Sequence, residues 1–154
     1  MAVTQVKDIL NRAVEFHKML VDFYSKIENI SEKESVKLLV SYMARHENVL
    51  KEKLSQVTEE QQRRIADIWV KQGPEYATCR CFENLKIDKD SSVDNIVDAG
   101  LQLNQCLINL YHQMVMIAPT EAVKTLFSNL ETMEIAEKKR LARKRLAKKE
   151  SKKN

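Results

Sequence analysis

Residues 3–27 read VTQVKDILNRAVEFHKMLVDFYSKI, with side chains suited to a protein core recurring at alternating spacings of three and four. The positions on this stripe are Val3, Val6, Leu10, Ala13, His17, Leu20, Tyr24 and Ile27. Side chains at this spacing lie on one face of an α-helix. The stretch therefore predicts a helix over residues 4–28 that buries one continuous stripe.

Three further long helices are predicted by the same spacing. Ser31-x-x-Glu34 is a capping-box pattern that opens the second helix, the third begins near Ser92, and Pro119 suits the first turn of the fourth. The expected stripes are Val36, Leu39, Met43, His46, Leu50 and Leu54 on the second helix, Val93, Val97, Gly100, Asn104, Leu107, Tyr111, Met114 and Ala118 on the third, and Val123, Leu126, Leu130, Met133 and Leu141 on the fourth.

The connections between these helices restrict the topology. The first and last pairs are joined tightly, so each pair is expected to form an antiparallel hairpin. Residues 55–91 are long enough to travel the length of a bundle, and Thr58-x-x-Gln61 predicts the start of a short helix through Val70 that Gly73-Pro74 ends. With two glycines and two prolines in 154 residues, a β-sandwich lacks its turns. We therefore predict an all-α four-helix bundle with one long crossover that contains a short helix.

The two hairpins are related by an internal repeat with an offset of 87 residues. Residues 36–54 and 123–141 share seven identities in nineteen positions, among them the pair Glu47 and Glu134. Residues 8–27 and 95–114 share three in twenty, including Tyr24 and Tyr111. One offset that serves both hairpins indicates a duplicated helical hairpin.

The stretch Val14-Glu15-Phe16-His17-Lys18-Met19-Leu20-Val21-Asp22-Phe23-Tyr24, followed by Val36-Lys37-Leu38-Leu39 and Met43-Ala44-Arg45-His46-Glu47, resembles the rubrerythrin-like branch of the ferritin-like superfamily. The resemblance spans roughly residues 5–145. It implies a ferritin-like fold, and a di-iron site in which the first and third helices each supply a glutamate and the second and fourth each supply Glu-x-x-His. Hard oxygen donors and imidazoles must converge between the four helices to hold such a site.

Other residues stand at the positions where the resemblance implies metal ligands. In such sequences the glutamate of the first helix comes seven residues before a tyrosine, and the repeat places the equivalent positions on the second hairpin. The residues found there are His17 on the first helix, Met43 and His46 on the second, Asn104 on the third, and Leu130 and Met133 on the fourth. All four carboxylates are replaced, so we predict that the di-iron site is lost and that no cofactor is bound.

Two interpretations of the polar stripe residues His17, His46 and Asn104 stay open. In the favoured one they form a hydrogen-bonded network in the space vacated by metal, because unpaired buried polar groups are costly. In the other, His17 and His46 form a non-standard metal or proton site, since neutral imidazole is a good ligand. Glu47 and Glu134 fall one residue past the stripe, about 100° around the helix, so neither is expected in the centre.

The net charge of +4 is unevenly placed. Residues 137–154 carry ten basic and two acidic side chains, which leaves a mildly acidic bundle. We expect the bundle to span residues 1–145 and residues 146–154 to be a frayed basic tail. Weak, non-specific binding of nucleic acid or another anion is an alternative role for the basic residues. The candidates are Lys139, Arg140, Arg143, Lys144, Arg145, Lys148 and Lys149.

The cysteines and the N-terminal sequence indicate a cytoplasmic protein. Cys79, Cys81 and Cys106 form an odd set without the usual Cys-x-x-Cys spacing, so we expect reduced thiols rather than a metal or redox pair at Cys79 and Cys81. The N-terminal residues show no basic stretch followed by an apolar one, and no run is long enough to span a membrane.

These observations favour a non-enzymatic structural or interaction protein. We expect a homodimer, because the resemblance implies association and four phenylalanines lie off the stripes, with an unidentified protein partner as a further possibility. The four are Phe16, Phe23, Phe82 and Phe127. The alternatives are an oxidoreductase or metal-binding protein with a site at His17 and His46, and an accessory binder of anionic partners through the basic tail.

Overall fold

The computed structural model describes residues 3–71 and 80–153, without the side chains of residues 57–64, 71 and 146–153. The elements in chain order are β1 (Val3–Gln5), α1 (Val6–Ile30), α2 (Glu34–Ile65), β2 (Trp69–Lys71), α3 (Arg80–Glu83), α4 (Val93–Ile117) and α5 (Glu121–Lys153). The structure is mostly helical, as predicted, with the four long helices α1, α2, α4 and α5 around a shared apolar core. None of the helices in the described part of the chain combines the length and apolarity needed to cross a membrane.

A two-stranded antiparallel sheet corrects the purely helical prediction. β1 pairs with β2, so that Val3 lies opposite Lys71 and Gln5 opposite Trp69. Val3 is 53% exposed rather than buried on a helix stripe. The backbone after α2 also accepts hydrogen bonds from the N–H groups of Val6 and Lys7. These N–H groups have no partner within their own helix, and their pairing holds the start of α1 against the end of α2.

Helix α2 is continuous from Glu34 to Ile65, so the predicted cap at Thr58 is wrong. Extending an existing helix adds a hydrogen bond for each residue fixed, whereas starting a new one carries a nucleation cost. No glycine or proline interrupts residues 34–65, so extension is favoured. Gly73-Pro74, the predicted end of the short helix, lies outside the described residues.

The starts of α4 and α5 follow from side-chain caps. Ser92 Oγ accepts from the Asn95 backbone N–H, and the Asn95 side chain accepts from the Ser92 backbone N–H, which confirms the start near Ser92. Thr120 Oγ1 accepts from the Val123 N–H at 3.3 Å. Pro119 therefore precedes the cap instead of lying in the first turn of α5.

Polar contacts establish the directions of the helices. On α4 and α5, His112 pairs with Glu131 and Gln105 with Lys138, so the two helices are antiparallel. Between α2 and α5, His46 pairs with Glu137, and Lys144 lies over the ring of Tyr42, so these are antiparallel too. Consequently α2 and α4 run parallel.

The segment that connects α2 to α4 runs back along the length of α2. It starts where α2 ends and finishes beside the residue that precedes α2. Asp67, just after α2, pairs with Lys7 at the start of α1. Asp90, just before α4, accepts a hydrogen bond from Lys33, which immediately precedes α2. Two parallel helices joined in sequence require such a crossover.

The core stripes of α1 and α4 agree with the prediction from Val6 and Val97 onward, but those of α2 and α5 are shifted in part. The stripe of α2 is Val36, Val40, Met43, Glu47, Leu50 and Leu54, and that of α5 is Val123, Leu126, Phe127, Leu130, Glu134 and Leu141, in which Leu126 is buried as predicted. Leu39, His46 and Met133 are only half-buried. The shift buries the bulky Val40 and Phe127, and it brings the two glutamates that follow them by seven residues into the core.

The four off-stripe phenylalanines belong to the core, which corrects the expectation that they are free for association. Phe16 and Phe127 are fully buried, and Phe23 and Phe82 pack against the core. The rings of Phe16 and Phe23 each lie within 6 Å of the Phe82 ring, at 5.4 and 5.7 Å between centroids. These residues close the space between the helices and the connecting segment.

Candidate functional site

One polar side chain from each long helix meets in the middle of the bundle. His17 Nδ1–H of α1 donates to Glu47 Oε2 of α2 at 2.7 Å. Asn104 Nδ2–H of α4 donates to Glu134 Oε2 of α5 at 2.8 Å. Each bond joins residues 30 positions apart, so the two halves of the repeat make the same contact. We call these four residues the core cluster.

A second contact of His17 joins the two hairpins. Its Nε2 lies 3.2 Å from Glu134 Oε1, so that the imidazole ring stands between two carboxylates. His17 is 0% exposed, Glu134 1%, Asn104 6% and Glu47 8%. A charged group removed from water to this degree needs a partner of opposite charge, and the imidazole is placed to supply it.

The surroundings of His17 favour its protonated form. Burial alone would lower the pKa of the imidazole, but the hydrogen bonds and negative charges of Glu134 and Glu47 outweigh it and raise the pKa from 6.5 to about 10. Burial raises the pKa of the Glu47 carboxyl, and the charges of Glu134 and Glu137 add to this, although His17 opposes it. His17 is therefore an imidazolium at neutral pH.

Tyr24 lies seven residues after His17 on the same face of α1 and is buried from water. Burial raises the pKa of its hydroxyl well above the ordinary value, and the charges of Glu47 and Glu137 add to the effect. The tyrosine therefore stays neutral over the whole pH range in which the protein is expected to work.

The core cluster does not fit the di-iron centre that the family resemblance implies. An imidazolium has no free lone pair for a metal ion, and both ring nitrogens of His17 face carboxylate oxygens. Asn104 contributes its N–H₂ group to Glu134 rather than to a ligand. Among the described residues, no three His, Cys, Asp or Glu side chains are arranged to hold a metal ion.

His46 has its own partners, away from His17. Its Nε2 lies 2.5 Å from Glu137 Oε2 and 3.3 Å from Arg140 Nη1. Its ring stacks on Tyr42, with 6.0 Å between centroids and an interplanar angle of 3°. His17 and Asn104 are thus joined through Glu134, whereas His46, the third member of the predicted network, belongs to a half-buried contact between α2 and α5.

The remaining predicted ligand positions are apolar fill next to the cluster. Met43 and Leu130, which are equivalent in the repeat, are buried at 5% and 4% exposure. Met133 is half-buried and packs against the core. Of the six positions, the structure brings only His17 and Asn104 into the core cluster.

Glu47 and Glu134 are the site residues that the sequence analysis missed, because it placed both glutamates beside the stripe. The signal was present in the repeat, since a glutamate retained in both halves occupies one structural position twice. Carboxylates are rarely buried without a partner, which favoured the solvent-exposed interpretation. Here His17 and Asn104 are those partners.

Several of the basic residues proposed for anion binding make contacts within the bundle. Arg140 contacts His46, Lys144 lies 4.1 Å from the centroid of the Tyr42 ring, and Arg145 pairs with Asp98. Lys139 and Arg143 are exposed. The side chains of Lys148 and Lys149 lie outside the described residues, although the backbone of α5 is helical to Lys153.

The cysteines depart from the expectation of reduced thiols. Cys81 of α3 and Cys106 of α4 form a disulfide, with 6.5 Å between their Cα atoms. Cys79, the other member of the Cys-x-Cys pair, lies outside the described residues. The spacing Cys79-x-Cys81 misled the prediction, because the partner of Cys81 comes from a different element.

No protein-family model, no curated protein and no solved structure matches this chain. The chemistry of the core cluster therefore rests on its own geometry. A buried imidazolium flanked by two carboxylates can hold charge and fix the spacing of four helices.

Proposed function

We propose that the chain is a ferritin-like bundle of the rubrerythrin-like kind in which the core cluster has replaced the metal centre. It acts as a non-enzymatic structural or interaction module. The parallel course of α2 and α4 supports the ferritin-like connectivity, because such folds have one long crossover. The matched bonds in the two hairpins support an origin by duplication.

The position of His17 between Glu47 and Glu134 carries this proposal. Two carboxylates in a helical core need positive charge, which metal ions provide in di-iron proteins. In this chain the imidazolium provides it, with a hydrogen bond to Glu47 on one side of the ring and the Glu134 carboxylate 3.2 Å from the nitrogen on the other. A group that is held on both sides and shielded from water is suited to stability rather than turnover.

Elemental analysis of the purified, untagged protein tests the proposal. After growth with added iron, zinc or manganese, we expect far less than one equivalent of any metal, and an unfolding temperature that added metal leaves unchanged. A stoichiometric metal that is lost in Glu47→Gln but retained in Glu131→Gln, a control outside the core cluster, would overturn it. An oxidoreductase with a site at His17 and His46 gains no support, because the two histidines have separate partners.

A homodimer is part of the proposed function, with α2 as its contact surface. Leu38 and Val49 are 65% and 47% exposed, and their spacing with the half-buried Tyr42 puts all three on one outer face of α2. We expect sedimentation analysis to give a dimer that Leu38→Asp with Val49→Asp converts to monomer, whereas Met116→Asp on α4 leaves it intact. A monomeric wild-type protein would contradict this arrangement.

A further inference from the structure

The short helix α3 is attached to both halves of the bundle. Cys81 is joined by a disulfide to Cys106 of α4. The next residue, Phe82, packs its ring against Phe16 and Phe23 of α1. One bond is covalent and the other contact is apolar, and together they hold the second half of the crossover against α1 and α4.

These attachments lie at the level of the core cluster. Phe16 directly precedes His17, and Cys106 follows Asn104 by two residues, or about 3 Å along the helix axis. Helix α3 therefore covers the α1 and α4 side of the bundle beside the buried charges.

The disulfide keeps α3 attached to the bundle. The helix has four residues and none of them is fully buried. A helix of one turn does not persist on its own in water. Cys81 and Cys106 are both half-buried, so neither residue is fully enclosed in the core.

We propose that Cys81–Cys106 is a thiol–disulfide exchange site whose reduction by an external dithiol releases α3 from the bundle. A thiolate of the dithiol attacks one sulfur, the S–S bond breaks, and the other cysteine leaves as a thiolate that takes up a proton. The second thiol of the reductant then displaces the first cysteine from the mixed disulfide. Two electrons and two protons pass to the protein, and the dithiol becomes a disulfide.

Release of α3 changes the surface beside the core cluster. The Phe82 ring is no longer held over Phe16 and Phe23, so apolar area that is covered in the oxidised protein becomes available. The chain between Cys81 and Cys106 also loses a covalent constraint, which increases the population of opened forms. The exchange site thus couples the redox state to the accessibility of the crossover.

Peptide mapping and limited proteolysis of the full chain test the proposal. In air-oxidised protein alkylated before digestion, we expect a linked peptide pair that contains Cys81 and Cys106. With dithiothreitol, we expect trypsin to cleave after Arg80 and Lys86 about ten times faster, because cleavage follows the opened population. Cys106→Ser is expected to be cleaved fast with and without reductant, and Cys79→Ser to behave as wild type.

Three results would overturn the proposal. They are the absence of the linked pair from oxidised protein, its loss in Cys79→Ser, and equal cleavage rates of the wild-type protein in both redox states. The rate comparison on wild-type protein needs no substitution, so it holds even if Cys106→Ser folds poorly.

Discussion

At the scale of single residues, His17 shows how a buried charge can be tolerated. Removing ions from water is costly, and a buried ion pair regains this only when its hydrogen bonds are well made. Both ring nitrogens of His17 have carboxylate partners, and Asn104 occupies the other oxygen of Glu134. The cluster is therefore sensitive to the loss of any single member.

His17→Leu is expected to lower the free energy of unfolding by about 3–5 kcal/mol, because it leaves two carboxylates buried without a positive charge. Urea denaturation followed by circular dichroism measures it. The matched substitution is His112→Leu, which removes an exposed histidine bonded to Glu131 and should cost less than about 1 kcal/mol.

Replacing all four residues of the core cluster tests whether the cost of His17→Leu comes from carboxylates left without a positive charge. The variant His17→Leu, Glu47→Met, Asn104→Leu and Glu134→Met removes every buried charge at similar volume. Its stability should return to within about 2 kcal/mol of wild type or exceed it, since apolar replacements of buried ion clusters are often neutral or stabilising. A quadruple variant less stable than His17→Leu alone would contradict the account.

Stability should depend on pH through the same histidine. The pKa of His17 is about 10 in the folded protein against 6.5 in the unfolded chain, so the folded state holds the proton more tightly. Its contribution is complete below pH 6.5 and is lost as the pH rises to about 10, with a slope of up to about 1.4 kcal/mol per pH unit. The neighbouring groups Glu47 and Tyr24, whose pKa values are also raised, add slopes of the same sign at lower and higher pH.

Urea denaturation at intervals across this pH range measures the slope. The part of the slope that is due to His17 should disappear in the quadruple variant and persist in His112→Leu, whereas the contribution of the buried Tyr24 at higher pH should remain in both. A wild-type stability that stays constant or rises between pH 6.5 and 10 would contradict a protonated His17.

At the scale of the elements, Gly100 sets how closely α4 approaches its neighbours. A Cβ atom there would lie 2.7 Å from Leu141 Cδ2 and 2.9 Å from both Met43 Cε and Tyr24 Oη. The helices therefore approach one another closely at this position. Gly100→Val should lower the free energy of unfolding by about 2–3 kcal/mol through overpacking. Ala136→Val on the exposed face of α5 should cost only a few tenths of a kcal/mol.

The continuity of α2 can be tested at Thr58, which either caps a new helix or lies inside α2. Thr58→Ala should leave the stability unchanged or raise it by a few tenths of a kcal/mol, because alanine is the better residue inside a helix. Thr120→Ala should cost about 1 kcal/mol, because Thr120 caps α5. Thermal unfolding of the pair measures both. A loss at Thr58 as large as that at Thr120 would mean that a helix begins there.

The core stripes of α1 and α4 could be predicted from the sequence, whereas that of α2 could be predicted only in part. On α1 and α4 the stripes follow from apolar spacing alone, because few polar residues interrupt them. On α2, Leu39 and Val40 are both apolar, so spacing does not decide which is buried. The choice depends on packing against other helices, and it also determines whether His46 or Glu47 faces the centre.

At the scale of the whole molecule, the two hairpins form an approximate duplicate around the core cluster. The repeat was visible in the sequence, whereas the polar network was predicted with His46 and without Glu47 and Glu134. The sheet of β1 and β2 and the disulfide of Cys81 and Cys106 were not, because each joins residues far apart in the sequence. Long-range pairing of this kind leaves no local periodic signal.

The core cluster is asymmetric, although the two hairpins share a repeat pattern in the sequence. The two glutamates are equivalent in the repeat, but their partners are a histidine and an asparagine. One positive charge therefore serves two carboxylates, and it lies on the side of the first hairpin. A single substitution at His17 thus affects the contact between the hairpins as well as the contact within one.

The protonation state of His17 tests the central claim most directly. Nitrogen NMR of protein with ¹⁵N-labelled histidine reports whether each ring nitrogen carries a proton. At about pH 8, where a free histidine is neutral, we predict that both nitrogens of His17 are protonated and stay so when an equivalent of Zn²⁺ or Fe²⁺ is added. A neutral ring at that pH, or the loss of a ring proton on addition of metal, would contradict the account.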